Sequence, residues 1–405
     1  MNRNLHSRTV ALLLMSVAAG ASARAQSLPA GPVSAFDGRV SLGAEVVATI
    51  GEEDEEAYFN YTDYQHNAFR MFRAGLSAEW RALERVNFVA EVRSEDLDAV
   101  RAYAAYVRVR PWRSVAFDVQ AGRIPPAFGS FGRRAYTSDN PLIGYPLAHQ
   151  YLTSLRADAI PNTVDDLLIM RGRGWEVTYP AGSPAPAPGL PILSAFRWDT
   201  GVQAHWRGAR IEATGAITAG TLSDPQVGDN NGGKQLSGRV AAHPVPGLIV
   251  GGSAARGQWL DRSVTALVPE SPDTFVQRAL GADLEYSRDY WMVRTEMIWS
   301  RWTLPFAAAG THQDLDALAM WIEGRYRITP RIVVAARADT LGFSKIADAG
   351  GQLVDWEADV KRFEANVGYY VQRNLMLRLA VQHNDRDGGR VREKTYVSGQ
   401  VAYWF

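Results

Sequence analysis

Past its N-terminal stretch, the chain is written in short segments whose apolar and polar residues alternate one by one, and a period of two restricts such segments to β-strands. In one of them Leu375, Leu377, Leu379 and Val381 share a face, while Arg378, Gln382 and Asn384 share the other. Val86, Phe88, Ala90 and Val92 oppose Asn87, Glu91 and Arg93 in the same way, and Phe363, Ala365, Val367 and Tyr369 oppose Arg362, Glu364 and Asn366. No amphipathic helix of ordinary length competes with this pattern, and no apolar run of about 20 residues follows the N-terminus, so membrane-spanning helices are excluded.

A soluble sandwich also alternates, so the links between strands decide between the two architectures. Seven short links, at 81–85, 111–114, 207–209, 243–247, 288–289, 329–330 and 372–374, interleave with eight longer ones, at 51–66, 94–98, 124–192, 221–234, 258–274, 302–313, 342–356 and 385–392. Fifteen links join about sixteen strands, the first near Phe36–Ile50 and the last near Glu393–Phe405. Such one-sided loop length and an even strand count are the pattern of an all-β, transmembrane antiparallel β-barrel. Gly174–Tyr179 also reads as a strand inside the longest link, and it would alter the count if it crossed. Trp80, Trp112, Trp206, Tyr290, Trp291, Tyr326, Tyr369 and Tyr403 fall near strand ends, where aromatic girdles belong.

The first residues read as an address. Arg3 and Arg8 precede the apolar stretch Val10–Ala19, and Ala23-Arg24-Ala25 offers a small-x-small cleavage site, so residues 1–25 are expected to be a signal peptide and 26–405 the barrel. With no cysteine there is no disulfide framework, lipidated N-terminal cysteine or thiolate site. A formal net charge of zero gives no global field for nucleic acid. The chain lacks a Gly-x-Ser-x-Gly elbow, a His-Glu-x-x-His pair and a phosphate-cradling Gly-Lys-Ser/Thr, so neither enzyme activity nor a cofactor or metal is expected. The acidic run Glu52–Glu56 reads as a solvated loop rather than a calcium site.

Sixteen strands enclose more space than side chains fill, which implies an aqueous lumen lined by the polar parity. Candidate lumen residues are Glu45, Arg108, Arg110, Asp118, Arg197, Asp283, Arg294, Glu323, Arg337 and Arg378. The final strand ends Val401-Ala402-Tyr403-Trp404-Phe405, and an alternating strand closed by Tyr403 and Phe405 resembles the signal by which barrel-assembly machinery takes up outer-membrane proteins.

Around Gly122-Arg123-Ile124-Pro125-Pro126-Ala127-Phe128-Gly129 the sequence resembles the phosphate-selective porin O/P family, which has a Gly-Arg, then Pro, then Phe-Gly arrangement at a strand-to-loop junction. The resemblance implies a sixteen-stranded, often trimeric porin of the bacterial outer membrane whose third loop, about 124–192, folds into the lumen. Lysine is scarce here, so the lysine-rich site on which phosphate selectivity depends in that family does not carry over. Constriction candidates are Arg123, Arg133, Arg134, Asp139 and Arg156, with two readings open for the arginines: contact with solute anions, or bridges to Asp139, Asp158, Asp165 and Asp166. The third loop is rich in Tyr and Leu and so has apolar surface to bury, which suits a constriction; an external lid or trimer contact is the alternative. The expected function is passive diffusion of small hydrophilic solutes or ions, anions such as phosphate among them, with membrane lipid and lipopolysaccharide as surroundings. A plugged structural or receptor-type barrel is the other reading.

Overall fold

The computed structural model describes residues 32–405 apart from 56, 63–65, 133–134, 196–197 and 309–310. Sixteen strands form the barrel: β1 (Val40–Gly51), β2 (Met71–Leu83), β3 (Val86–Glu95), β4 (Ala99–Val109), β5 (Ala116–Ile124), β6 (Asp199–Arg207), β7 (Ile211–Thr218) and β8 (Gln235–Ala242). The ring continues with β9 (Leu248–Gln258), β10 (Val276–Arg288), β11 (Trp291–Phe306), β12 (Thr311–Arg327), β13 (Ile332–Phe343), β14 (Val360–Gln372), β15 (Leu375–Arg386) and β16 (Glu393–Trp404). Every neighbour pairs antiparallel, and β16 closes on β1 with Glu45 opposite Trp404 and Gly51 opposite Ser398. Closure leaves no strand edge to be desolvated in hydrocarbon.

Alternation sorts the two faces as the sequence requires. On β15 Arg378, Gln382 and Asn384 are buried while Leu377, Leu379 and Val381 are exposed, and on β14 Arg362, Glu364 and Asn366 are buried while Phe363 and Val367 are exposed. A water-soluble fold would invert this arrangement, so the outer surface is built for an apolar solvent. The girdle lies at one end: Trp80, Trp112, Trp206, Tyr290, Trp291, Tyr369 and Tyr403 are exposed beside the short turns, and Tyr326 packs on Trp291 at 4.3 Å. The apolar core sits at the opposite end, where Phe59, Phe69, Leu147, Trp259, Trp302 and Trp356 from loops and strand tops pack together.

The strands lie within a few residues of where the sequence places them, with three instructive differences. First, residues 36–39 turn rather than extend β1, and Val33–Ala35 folds back to pair with it. Second, the flanking strands take up much of the links expected at 94–98 and 302–313. Asp96 and Leu97 adopt left-handed φ of 50° and 60° to reverse the chain between β3 and β4, and β11 and β12 pair out to Phe306 and Thr311. Third, Gly174–Tyr179 contributes only one bridge, Val177 to Ala187, within the long link 125–198 and adds no barrel strand. The expected signal peptide lies outside the described residues.

Candidate functional site

The buried parity of the strands forms two kinds of polar arrangement. Around half the ring it satisfies itself. Arg207 pairs with Glu212 at 2.8 Å, Glu212 with Arg239 at 3.3 Å and Arg239 with Asp283 at 2.6 Å. The band then resumes from Glu285 through Arg294 at 3.1 Å and Glu323 at 3.8 Å to Arg337. Arg337 is fully buried and meets three carboxylates, Asp339 at 3.0 Å, Glu364 at 3.3 Å and Glu323 at 3.4 Å. Most of these pairs join neighbouring strands, because alternation puts every second residue of both on the same face; Arg239 reaches across β9 to Asp283, and Arg337 and Asp339 share β13.

Elsewhere the wall is bonded to the segment between β5 and β6. Gly129 donates its N–H to Ser253 Oγ at 3.0 Å, and Ser130 to Glu296 at 2.7 Å. Further along, Tyr136 donates to Glu91 at 2.5 Å, and Thr137 donates its N–H and hydroxyl to Glu45 at 2.9 and 3.2 Å. Ile143 and Gly144 donate their N–H groups to Glu364 at 3.0 and 2.9 Å. Arg378 donates to the carbonyls of Thr137, Asn140 and Leu142, Asn366 to that of Pro141, and Arg73 to Tyr145 Oη at 2.7 Å. These partners sit on β1, β2, β3, β9, β11, β14 and β15, on both sides of the ring. Backbone meets carboxylate at two glycines: Gly129 adopts a left-handed φ of 73°, and a Cβ on Gly144 would push the Glu364 carboxylate aside.

The outer part of the same segment is held by loops. Glu357, just before β14, accepts from the N–H of Ser154 at 2.7 Å, from that of Gly172 at 2.6 Å and from Tyr151 Oη at 3.0 Å. Burial pushes its pKa up despite these donors. His149 is buried against Phe131 with ring centroids 4.9 Å apart, and burial lowers its pKa to about 3, which keeps it neutral. Beneath the turn at Ser138 lies a cavity of about 840 Å³ toward the short-turn rim, with Arg327, Arg331, Arg373, Tyr370 and Trp404 in its lining.

No family model and no curated protein matches the chain. Among solved structures it is similar to the anion-selective porin from Comamonas acidovorans, at TM-score 0.55 and 10% identity over 90% of this chain and 99% of that one. It is also similar to the outer membrane channel DcaP of Acinetobacter baumannii, at TM-score 0.53 and 10% identity over 92% of this chain and all of that one. A third is OmpF of Salmonella typhi in complex with daunomycin, at TM-score 0.53 and 12% identity over 92% of this chain and all of that one. The chain folds as a porin barrel.

Within the porin barrel the residues singled out from the sequence fall into distinct places. Glu45, Asp283, Glu323, Arg337 and Arg378 are buried on the inner parity, and Arg294 joins them, also donating to the Asp139 carbonyl at 3.3 Å. Arg108 lies between Glu79 at 4.0 Å and Asp118 at 3.9 Å. Arg110 is exposed just beyond β4, at the rim rather than on the wall. Arg123 pairs in register with Ala105 and Thr200, on the face that alternates with inward Gln120, so it belongs to the outer parity at the long-loop end of β5. Asp139 is exposed at the turn. Arg156 is buried, grips Asp158 with two bonds of 3.0 and 2.9 Å, and donates to the carbonyls of Val177 and Ala185. Arg133, Arg134 and Arg197 lie outside the described residues. The residues that tie segment to wall, Arg73, Glu91, Glu296, Arg362, Glu364 and Asn366, were not singled out; inward parity was their only signal in the sequence.

Proposed function

We propose that this barrel is a passive diffusion channel of the bacterial outer membrane for small hydrophilic solutes, with the segment between β5 and β6 crossing the lumen as its constriction. The observation that carries the reading is the pairing of an apolar outer face with an inner wall of charged side chains, seven strands of which bond the same segment. A segment tethered to so many strands narrows the path without closing the ring. The inner-wall pairs described above set four arginines against six carboxylates, whereas Arg327, Arg331 and Arg373 line the short-turn mouth with no acidic side chain among the lining residues. The arginines of the mouth favour anions. A homotrimer, exported through residues 1–25 and assembled through the strand ending at Phe405, completes the proposal.

A plugged structural or receptor barrel is the competing reading, favoured by the number of bonds between segment and wall. Single-channel recording of the refolded mature chain separates the two: discrete open steps support the channel, and a silent membrane overturns it. The reversal potential in a potassium chloride gradient should show chloride preference, and R327E/R331E should move it toward cations by at least 10 mV, of order RT/F. An unchanged potential in a folded variant would remove the mouth arginines from selectivity. Block by added inorganic phosphate would extend the anion preference to that ion, and block-free current would indicate a general pore.

A further inference from the structure

Two arginines stand where a membrane barrel has least reason to keep them. Arg256 on β9 and Arg278 on β10 are directly opposite in register, and both are exposed on the outward parity that carries Ala254 and Leu280. Arg278 is opposite Arg301 on β11 in turn, so three guanidinium groups form a row across adjacent strands. Arg301 is answered within the chain by Asp316, through bonds of 2.7 Å from Nε and Nη2. Among the described residues neither Arg256 nor Arg278 has a carboxylate within ion-pair distance. Like charges directly opposite one another weaken a strand pair, so the row implies a counter-anion from outside the chain.

Its height identifies the anion's source. Along β10 eight residues separate Arg278 from Tyr286 at the girdle, about 26 Å of strand and about 20 Å along the membrane normal at the usual tilt. Arg278 therefore stands at the far margin of the apolar band, at headgroup level on the long-loop side, which is the outer leaflet in a bacterial outer membrane. Beside the row, outward Met297, Trp299, Leu318 and Met320 line a groove of about 460 Å³ whose polar margin holds Lys361 together with Asp359 and with Asp316, which Arg301 already pairs. Guanidinium groups match phosphate oxygens with two donors each, and an apolar groove below them suits acyl chains.

We propose that Arg256 and Arg278 bind the phosphate groups of lipopolysaccharide, a phosphorylated glycolipid, whose acyl chains lie along the β11–β12 groove. The proposal rests on the outer-membrane reading but not on an open pore, and conductance of the same preparation reports on the pore separately. The test is native mass spectrometry of the purified full barrel in detergent with added bisphosphorylated lipopolysaccharide. The wild type should hold the lipid, R256Q/R278Q should hold at least tenfold less, and R256K/R278K, which keeps the charge, should hold an intermediate amount. Enzymatically dephosphorylated lipopolysaccharide should bind the wild type at least tenfold more weakly. Three results overturn the proposal: equal binding of the dephosphorylated lipid, undiminished binding by folded R256Q/R278Q, or equal displacement by phosphatidylglycerol. A fourth is that the pair governs association of barrel copies while lipid content stays constant, since the row would then be a subunit contact.

Discussion

Arg337 and Arg378 lie two strands apart on the same inner wall, both buried, and solve the same problem in opposite ways. Arg337 is surrounded by Glu323, Asp339 and Glu364, all contributed by strands. Arg378 instead donates to three carbonyls of the β5–β6 segment and to Gln400 at 3.2 Å. The first arrangement joins wall to wall, and the second joins wall to segment. Glu364 connects them, since it accepts from Arg337 on one side and from the N–H groups of Ile143 and Gly144 on the other. The barrel thus holds its ring and the β5–β6 segment with two sets of bonds that meet at Glu364 and also at Arg73 and Arg294.

Truncating the wall-to-wall arginine should have the largest effect. R337M leaves three carboxylates buried without their cation, and removing one partner of such a cluster costs about 3–5 kcal/mol. A matching fall in the midpoint of urea unfolding, with ion selectivity of the surviving barrels little changed, would sustain the division. R378Q should cost less stability, about 1.5–3 kcal/mol for lost charged hydrogen bonds, but change transport more. Its conductance should rise, and residues 135–145 should become sensitive to protease. If R337M opened the channel as much as R378Q, the two sets of bonds would not be separable.

How much of this was legible follows the same division. Lipid on one side and polar surroundings on the other impose a period of two, so the alternations over Phe363–Tyr369 and Leu375–Val381 fall within β14 (Val360–Gln372) and β15 (Leu375–Arg386). The signal fails where a strand leaves the membrane. Arg301, Asp314 and Asp316 put charge on the outward parity of β11 and β12, which reads as a loop, although the two strands continue pairing to Phe306 and Thr311. Contacts between segment and wall were illegible for another reason: Gly144 and Glu364 are 220 residues apart, and alternation states which way a side chain points but not what arrives there. The carbonyl partners of Arg156, Val177 and Ala185, are equally hidden, since they come from a fold of the segment that no period announces.

The smallest predicted effects are those of pH on two segments, and their signs differ. His149 belongs to the segment that Arg378 holds. Its pKa falls from 6.5 to about 3 in the folded protein, so acidification below about 6.5 protonates the open form preferentially; between pH 7 and pH 5 the closed segment should lose about 2 kcal/mol. Asp54, in the link between β1 and β2, is bonded to Tyr396 Oη and accepts the Asn60 N–H at 2.7 Å, and burial raises its carboxyl from 3.8 to about 6. Here the folded form takes up the proton first, so the stabilisation is complete below about pH 4 and is lost as pH rises through 6. Between pH 7 and pH 5 this link should therefore gain about 1 kcal/mol. Hydrogen exchange at the two pH values, corrected for intrinsic rates, should show residues 142–155 opening more readily at pH 5 and residues 52–62 less readily. D54N should abolish the second change and leave the first. Parallel changes in both segments would mean that the wall holds them as one unit, which would break the distinction between the bonds that join wall to wall and those that join wall to segment.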